Sequence, residues 1–358
     1  MIKWNKTDTP TMDNIMSKWT SRHLAAAATL LATILVVVAG LSPSSASAQT
    51  NDEHFKMIGP AKCAECHKSE TEIWKGTHHF STFTELTRRK EASDIAERMG
   101  MRRIKSESLC LDCHFSTVET AGGDPEPVAG ISCESCHGAA SAWQPIHSGF
   151  SGKKEGQETP EEIALRWEKS EAAGMIRPQD MYSWAKNCFS CHVVPEEKLV
   201  NVGGHKAGSP FELVAWSQGE VRHNTWHNKG ASNAAASLND KRLMFVVGRA
   251  VELETALRAV GKATQKANYA VSMAKRAQAS RQAIAALEGF LKIAELTEMG
   301  AAANSAGLKL NNDAALSAVA DKVGALTRQI AGKYDGSTFG AIDKYLPQES
   351  AYKGTPAR

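Results

Sequence analysis

All eight cysteines of the 358-residue chain fall into four copies of one unit, C-x-x-C-H. They are CAECH (Cys63, Cys66, His67), CLDCH (Cys110, Cys113, His114), CESCH (Cys133, Cys136, His137) and CFSCH (Cys188, Cys191, His192). Two thiols three residues apart can each add to one vinyl group of a single porphyrin, and the next residue then lies beneath the iron as its histidine ligand. This is the attachment pattern of haem c. A lone C-x-x-C also serves zinc ribbons and redox dithiols, but four copies, each followed by His and with no cysteine left over, point to four covalently bound haems.

Four such groups between residues 63 and 192 dictate the fold. A segment of about 170 residues has a radius of gyration of roughly 15–16 Å, so four macrocycles inside it lie close together and supply much of the apolar core. Regular structure is secondary to wrapping them. The expected fold is mainly α, a multihaem cytochrome c domain of short helices and loops. Gly122-Gly123, Pro125, Pro127 and Gly130 mark one loop, and residues 149–160 another.

The first 48 residues read as an export signal. Lys18 and Arg22 precede an apolar run from Leu24 to Leu41, and Ala46-Ser47-Ala48 forms an A-x-A cleavage site. The run is about long enough to span a bilayer, so membrane association through an uncleaved anchor is the alternative. Export to the periplasm is the expected localisation. The domains expected are 1–48 signal, 49–235 tetrahaem domain and 236–358 a helical C-terminal region. The net charge of +3 is uneven, −6 over residues 49–240 and +7 over 241–358, which fits solvated surfaces or a basic face toward an acidic partner. Nothing in it calls for nucleic acid.

Four irons have eight axial positions, and the motif histidines fill four. Seven other histidines follow the signal: His54, His78, His79, His147, His205, His223 and His227. Methionines 57, 99, 101, 175 and 181 are also available, but no spacing singles one out. SETEIWKGTHHFSTFTELTRRK (69–90) suits a helix opened by a Ser69–Glu72 capping box. Successive helix residues point about 100° apart, so His78 and His79 cannot reach the same iron, and geometry alone does not choose between them. His147 is on a short tether after CESCH. His205 lies in a glycine-flanked loop, and His223 and His227 share a face if helical.

CAECHKSETEIWKGTHH, then CESCHG with a nearby His, then a fourth motif, resembles the tetrahaem cytochrome c-554 family, over roughly residues 58 to 230. Related haem packing occurs in hydroxylamine oxidoreductase. The resemblance implies a periplasmic electron-transfer protein, the type member taking electrons from hydroxylamine oxidation. It implies bis-histidine ligation of three haems and an open iron at the second motif. It puts His79 on the haem of His137, His147 on that of His67, and His223 in preference to His227 on that of His192. His205 has no clear family counterpart; it is the candidate to close the iron of His114.

Beyond the motifs the chain is alanine-rich, with no proline between Phe211 and Leu346. Leu243, Val246, Val247, Ala250, Leu253, Leu257 and Val260 repeat at helix spacing. Asp240 is the expected N-cap of that helix and Gly261 its stop. Further helices are expected over 264–296, with a break near Ser280 or Gly289, and over 312–331, packed antiparallel. This bundle would act as a scaffold or as a surface for oligomers or redox partners. The function expected is electron transfer between redox partners, in nitrogen-compound oxidation or anaerobic respiration. The rival is a haem enzyme that reduces nitric oxide or nitrite at an open iron, with Arg102, Arg103 and Lys105 nearby. A third reading is a structural subunit that holds haems for a larger complex.

Overall fold

The computed structural model describes residues 55–106 and 108–357. The predicted export signal and His54 lie outside the described residues. Among the described residues no helix is long and apolar enough to cross a membrane.

The helix Leu238–Lys262 is the centre of the packing. Val246, Val247, Ala250, Val251, Leu253, Ala256 and Leu257 are all fully buried on it, because neighbours cover it on several sides. Those neighbours are the helices Asn268–Leu291, Asp313–Lys333, Met181–His192 and Leu213–Ser217, and Ala294–Ser305 packs on the first two of them. Fully burying a Leu, Ile or Met contributes about 1.5–3 kcal/mol. Leu253, Leu257, Met273, Ile284, Leu296, Met299, Leu316 and Leu326 all do so here.

Element ends differ from the sequence expectation in physically readable ways. Ser237 caps the long helix, its hydroxyl accepting from the Asp240 amide, so Asp240 lies inside the first turn. Gly261 is helical too. It is required there because a Cβ would come within 3.0 Å of the Asp313 Cα. The following helix breaks at Lys292, which adopts a left-handed conformation (φ 51°), and not at Ser280 or Gly289. Ser280 instead lies buried in mid-helix, its hydroxyl donating to the Arg276 carbonyl.

The motif region is built from short pieces. The expected helix over 69–90 is two helices, Lys68–Lys75 and His78–Glu85, followed by a 3-10 turn. Thr77 is extended (φ −95°, ψ 158°) and its Oγ1 accepts from the Phe80 amide, so it starts a new helix one residue before the histidine pair. Ser69 is not the cap of the first helix; His67 holds that position. The proline-rich stretch after the second motif is not all loop. Ser116–Glu119 pairs antiparallel with Pro125–Ala129, the prolines being tolerated because a two-stranded sheet has only edges.

One hydrophobic cluster runs from Met181 to Leu346 and so includes both the helix of the fourth motif and the bundle. Phe189, inside CFSCH, is 1% exposed within it. A buried polar link reinforces the seam. Tyr182 Oη donates to Glu254 Oε2 at 2.8 Å, and Lys186 and Arg258 reach the other carboxylate oxygen. A buried carboxylate needs such partners. The described residues form one unit.

Candidate haem-binding site

Each motif histidine faces one histidine from elsewhere in the chain. Ring centroids are 5.9 Å apart for His67 and His147 and 6.2 Å for His114 and His205. They are 6.0 Å apart for His137 and His223 and 6.3 Å for His192 and His79. An imidazole nitrogen binds a metal at about 2 Å and lies about 1 Å from its ring centre, so one ion held between two imidazoles separates the centres by about 6 Å. All four separations match that span. His147 Nδ1 is also buried without a hydrogen-bond partner, an orphan that a bound group would resolve. The residues therefore fit haem iron held between paired imidazoles.

The pairing differs from the one implied by the resemblance at two places. His79 faces His192, not His137, and His223 faces His137, not His192. Two ties explain the exchange. The Glu220 carboxylate accepts from the amide of His78 (3.0 Å) and lies 2.8 Å from its Nδ1, and Thr225 Oγ1 donates to Glu70. Both draw the 220–230 loop to the 67–78 segment, beside the first and third motifs, which leaves His79 to reach the fourth. His78 faces none of the motif histidines; its side chain is 75% exposed and its partner is Glu220. His227 faces none of the motif histidines; it lines a cavity of about 440 Å³ with Cys66, Glu70 and Trp226.

Local contacts aim the motif histidines. His137 Nδ1 is 3.0 Å from the Ile176 carbonyl, while the Ile176 amide donates to the His137 carbonyl. His192 uses the same device with Ser209: Nδ1 is 2.8 Å from its Oγ, and the Ser209 amide donates to the His192 carbonyl. His205 Nδ1 lies 2.7 Å from the Lys206 carbonyl and His223 Nδ1 2.6 Å from that of Val221. A bond at Nδ1–H leaves Nε2 as the free lone pair, the arrangement that orients a ligating histidine. Burial pushes His114, His137, His147 and His192 down to about 4, and lowers His67 and His79 as well. These six imidazoles are thus neutral at physiological pH, the form that binds metal.

The motifs adjoin in a definite order. The Cys63 thiol lies beside that of Cys133, and Cys113 beside Cys191, whose Sγ is 3.9 Å from the Asp112 carbonyl. Asn187, just before the fourth motif, donates to the carbonyls of Ser135 and Cys136 in the third. First touches third, third touches fourth and fourth touches second. Within the third motif Glu134, 2% exposed, accepts from the amides of Ile58, Gly59 and Ala140, so this buried carboxylate is satisfied by main chain. Arg102 and Arg103 are exposed, whereas Lys105 lies 3.3 Å over the Phe83 ring.

The profile of the family described as cytochrome c554 and c-prime matches residues 62–138. This region is similar to the cytochrome c-554 family. A cytochrome c-554 from Nitrosomonas europaea is 28% identical over 173 residues, covering 46% of this chain and 68% of that protein. No solved structure gives a significant match. The similarity supports a c-type cytochrome with covalently attached haem c and an electron-carrying role. In the cytochrome c-554 region and beyond it, several contacts escaped sequence reasoning: Glu220 on His78, Trp226 against His67 (4.4 Å), and Phe211 and Trp216 against His192 (4.4 and 4.8 Å). Trp143, four residues before His147 and 5.7 Å from it, carried a legible signal in its helical spacing; the others are distant in sequence.

Proposed function

We propose that the chain is an exported tetrahaem cytochrome that carries electrons between redox partner proteins, each of its four haems held by two histidines. The observation that carries this reading is the set of four ring pairs, each near 6 Å. Bound haem would supply one-electron chemistry. The chain's own work is to hold two imidazoles per site, to screen them with aromatic side chains and to fix the motifs in contact. The first–third–fourth–second order of contacts then gives a linear electron route with the first and second motifs at its ends. Paired imidazoles generally favour lower potentials than a His/Met set.

His205 lies on the side of His114 that an enzyme would need open for nitric oxide or nitrite, so the carrier reading is favoured over the nitrogen-oxide reductase. In this reading residues 1–48 direct export to the periplasm, 49–235 hold the haems and 236–358 are the helical scaffold. Arg276 of the bundle supports that last role, donating to the Ser209 carbonyl at 2.6 Å and so backing the residue that orients His192. The test is carbon monoxide added to the reduced, haem-loaded protein after haem has been counted per chain. Four haems, all low-spin and none binding carbon monoxide, are expected, and His205→Ala should create one binding site. A wild-type protein that binds the gas at one haem would restore the enzyme reading.

A further inference from the structure

The loop that carries His223 is held from both sides by one buried side chain. Asn233 is 6% exposed. Its Oδ1 accepts from the Asn224 amide at 2.9 Å, and its Nδ2 donates to the Arg222 carbonyl at 2.7 Å. These are the main-chain groups immediately after and before His223. The remaining Nδ2 hydrogen goes to the carbonyl of Ala357 at 2.9 Å. An amide side chain has two donors and two acceptor sites, and here one donor and the acceptor oxygen fix one short loop while the other donor ties it to the residue 352–357 segment.

The Tyr352–Ala357 segment closes the same loop from outside. The Lys353 amide donates to the Ala215 carbonyl at 2.9 Å, and its carbonyl accepts from the Glu220 amide at 2.8 Å. Two glycines make the approach feasible. A Cβ on Gly219 would lie 2.1 Å from the Lys353 carbonyl oxygen. One on Gly354, already at φ +70°, would lie 2.1 Å from Glu220 Oε2. Tyr352 packs against the bundle core, so the segment is anchored at its start. Glu220, fixed by this contact, also holds His78 at the opening of the helix that carries His79.

We propose that Asn233 and the Tyr352–Ala357 segment together are the positioning device of His223, a clamp far from the motifs in sequence that holds this imidazole opposite His137. The proposal rests on the four-pair reading above. A loop residue with a free main chain would sample many conformations, and each ordered residue costs about 1–2 kcal/mol of backbone entropy. Holding both flanking peptides pre-organises the ring for ligation. Removing the clamp should therefore loosen one axial position and leave the other three low-spin.

The experiment uses the full-length haem-loaded protein, with carbon monoxide binding to the reduced form as the readout. The variants are His223→Ala, Asn233→Ala, Gly219→Ala and a chain ending at Ala351. His223→Ala should raise the stoichiometry from none to one per chain. Asn233→Ala and the shortened chain should each bind carbon monoxide at a fraction of one site. The double variant His223→Ala/Asn233→Ala should bind no more than His223→Ala alone, because both changes act on one haem. Gly219→Ala pushes the clamp away without deleting any side chain and should behave as Asn233→Ala does, which guards against a shortened chain that fails to fold. If His223→Ala opens a site while the clamp variants stay at none, the clamp is wrong and the four-pair reading stands. If His223→Ala opens nothing, the reading falls and takes the clamp with it.

Discussion

Arg166 donates from Nη1 to the main-chain carbonyl of His147 over 3.0 Å while its Nε and Nη2 grip Glu158 at 2.8 and 2.7 Å. Both side chains of the ion pair are nearly enclosed, 8% and 3% exposed, and the neighbouring Trp167 ring lies 5.6 Å from that of His147 at 30°. Arg166→Met keeps the bulk of the side chain and removes every donor. It should free the His147 main chain and convert the haem of the first motif partly to high spin. Absorbance and carbon monoxide binding of the reduced variant check this. An unchanged spectrum would mean that Trp143 and Trp167 position His147 without help.

The adjacent histidines separate cleanly by function. His79→Ala should open one haem, that of Cys188 and Cys191, while His78→Ala should leave every iron low-spin because His78 spends its ring on Glu220. Loss of the Glu220 tie should show instead as faster amide exchange over residues 77–80. If His78→Ala rather than His79→Ala opens a site, the direction of the helix is wrong.

Ring orientation gives a spectroscopic fingerprint. The planes of His67 and His147 are 15° apart, near parallel, while those of His137 and His223 are 84° apart, near perpendicular. Parallel imidazoles lift the degeneracy of the iron orbitals and perpendicular ones preserve it. The oxidised protein should therefore show both a rhombic low-spin signal and a strongly anisotropic one by electron paramagnetic resonance. His147→Ala should remove the first and His223→Ala the second. Four identical rhombic signals would contradict the arrangement.

Phe189 couples the fourth motif to the bundle. It is enclosed in the shared cluster, with its ring 4.9 Å from that of Phe211. Phe189→Ala leaves a cavity and should destabilise the haem-loaded protein by about 3–5 kcal/mol, read as a lower denaturant midpoint. Haem absorbance and far-ultraviolet circular dichroism should be lost together, since one core serves both regions. Two separate transitions would show that the bundle folds independently.

The motifs, the divergence of His78 from His79 and the long helices were legible because they depend on local spacing: C-x-x-C-H, the 100° step between the two histidines, and the apolar repeat from Leu243 to Val260; which of the two histidines is the ligand came only from the family resemblance. Partner choice was not. Which iron His79 or His223 meets depends on how the 220–230 loop folds back, and that is set by Glu220 on His78, Thr225 on Glu70 and Asn233 on the peptides beside His223. These ties join residues more than 140 apart, except for Asn233. No periodicity encodes them. The break before the histidine pair was missed because Gly76 and Thr77 read as tolerable within a helix, whereas the Thr77 hydroxyl makes a better cap than interior residue. Ser237 displaced Asp240 as a cap for a related reason, since either side chain is suited to the role and the backbone chooses.

The central claim is that four irons lie between His67 and His147, His114 and His205, His137 and His223, and His192 and His79. Anomalous X-ray scattering at the iron edge from crystals of the haem-loaded protein tests it most directly. Four peaks are predicted, each flanked by the two imidazoles of one named pair. An iron at His114 with no imidazole opposite, or His79 bound across from His137, would contradict it.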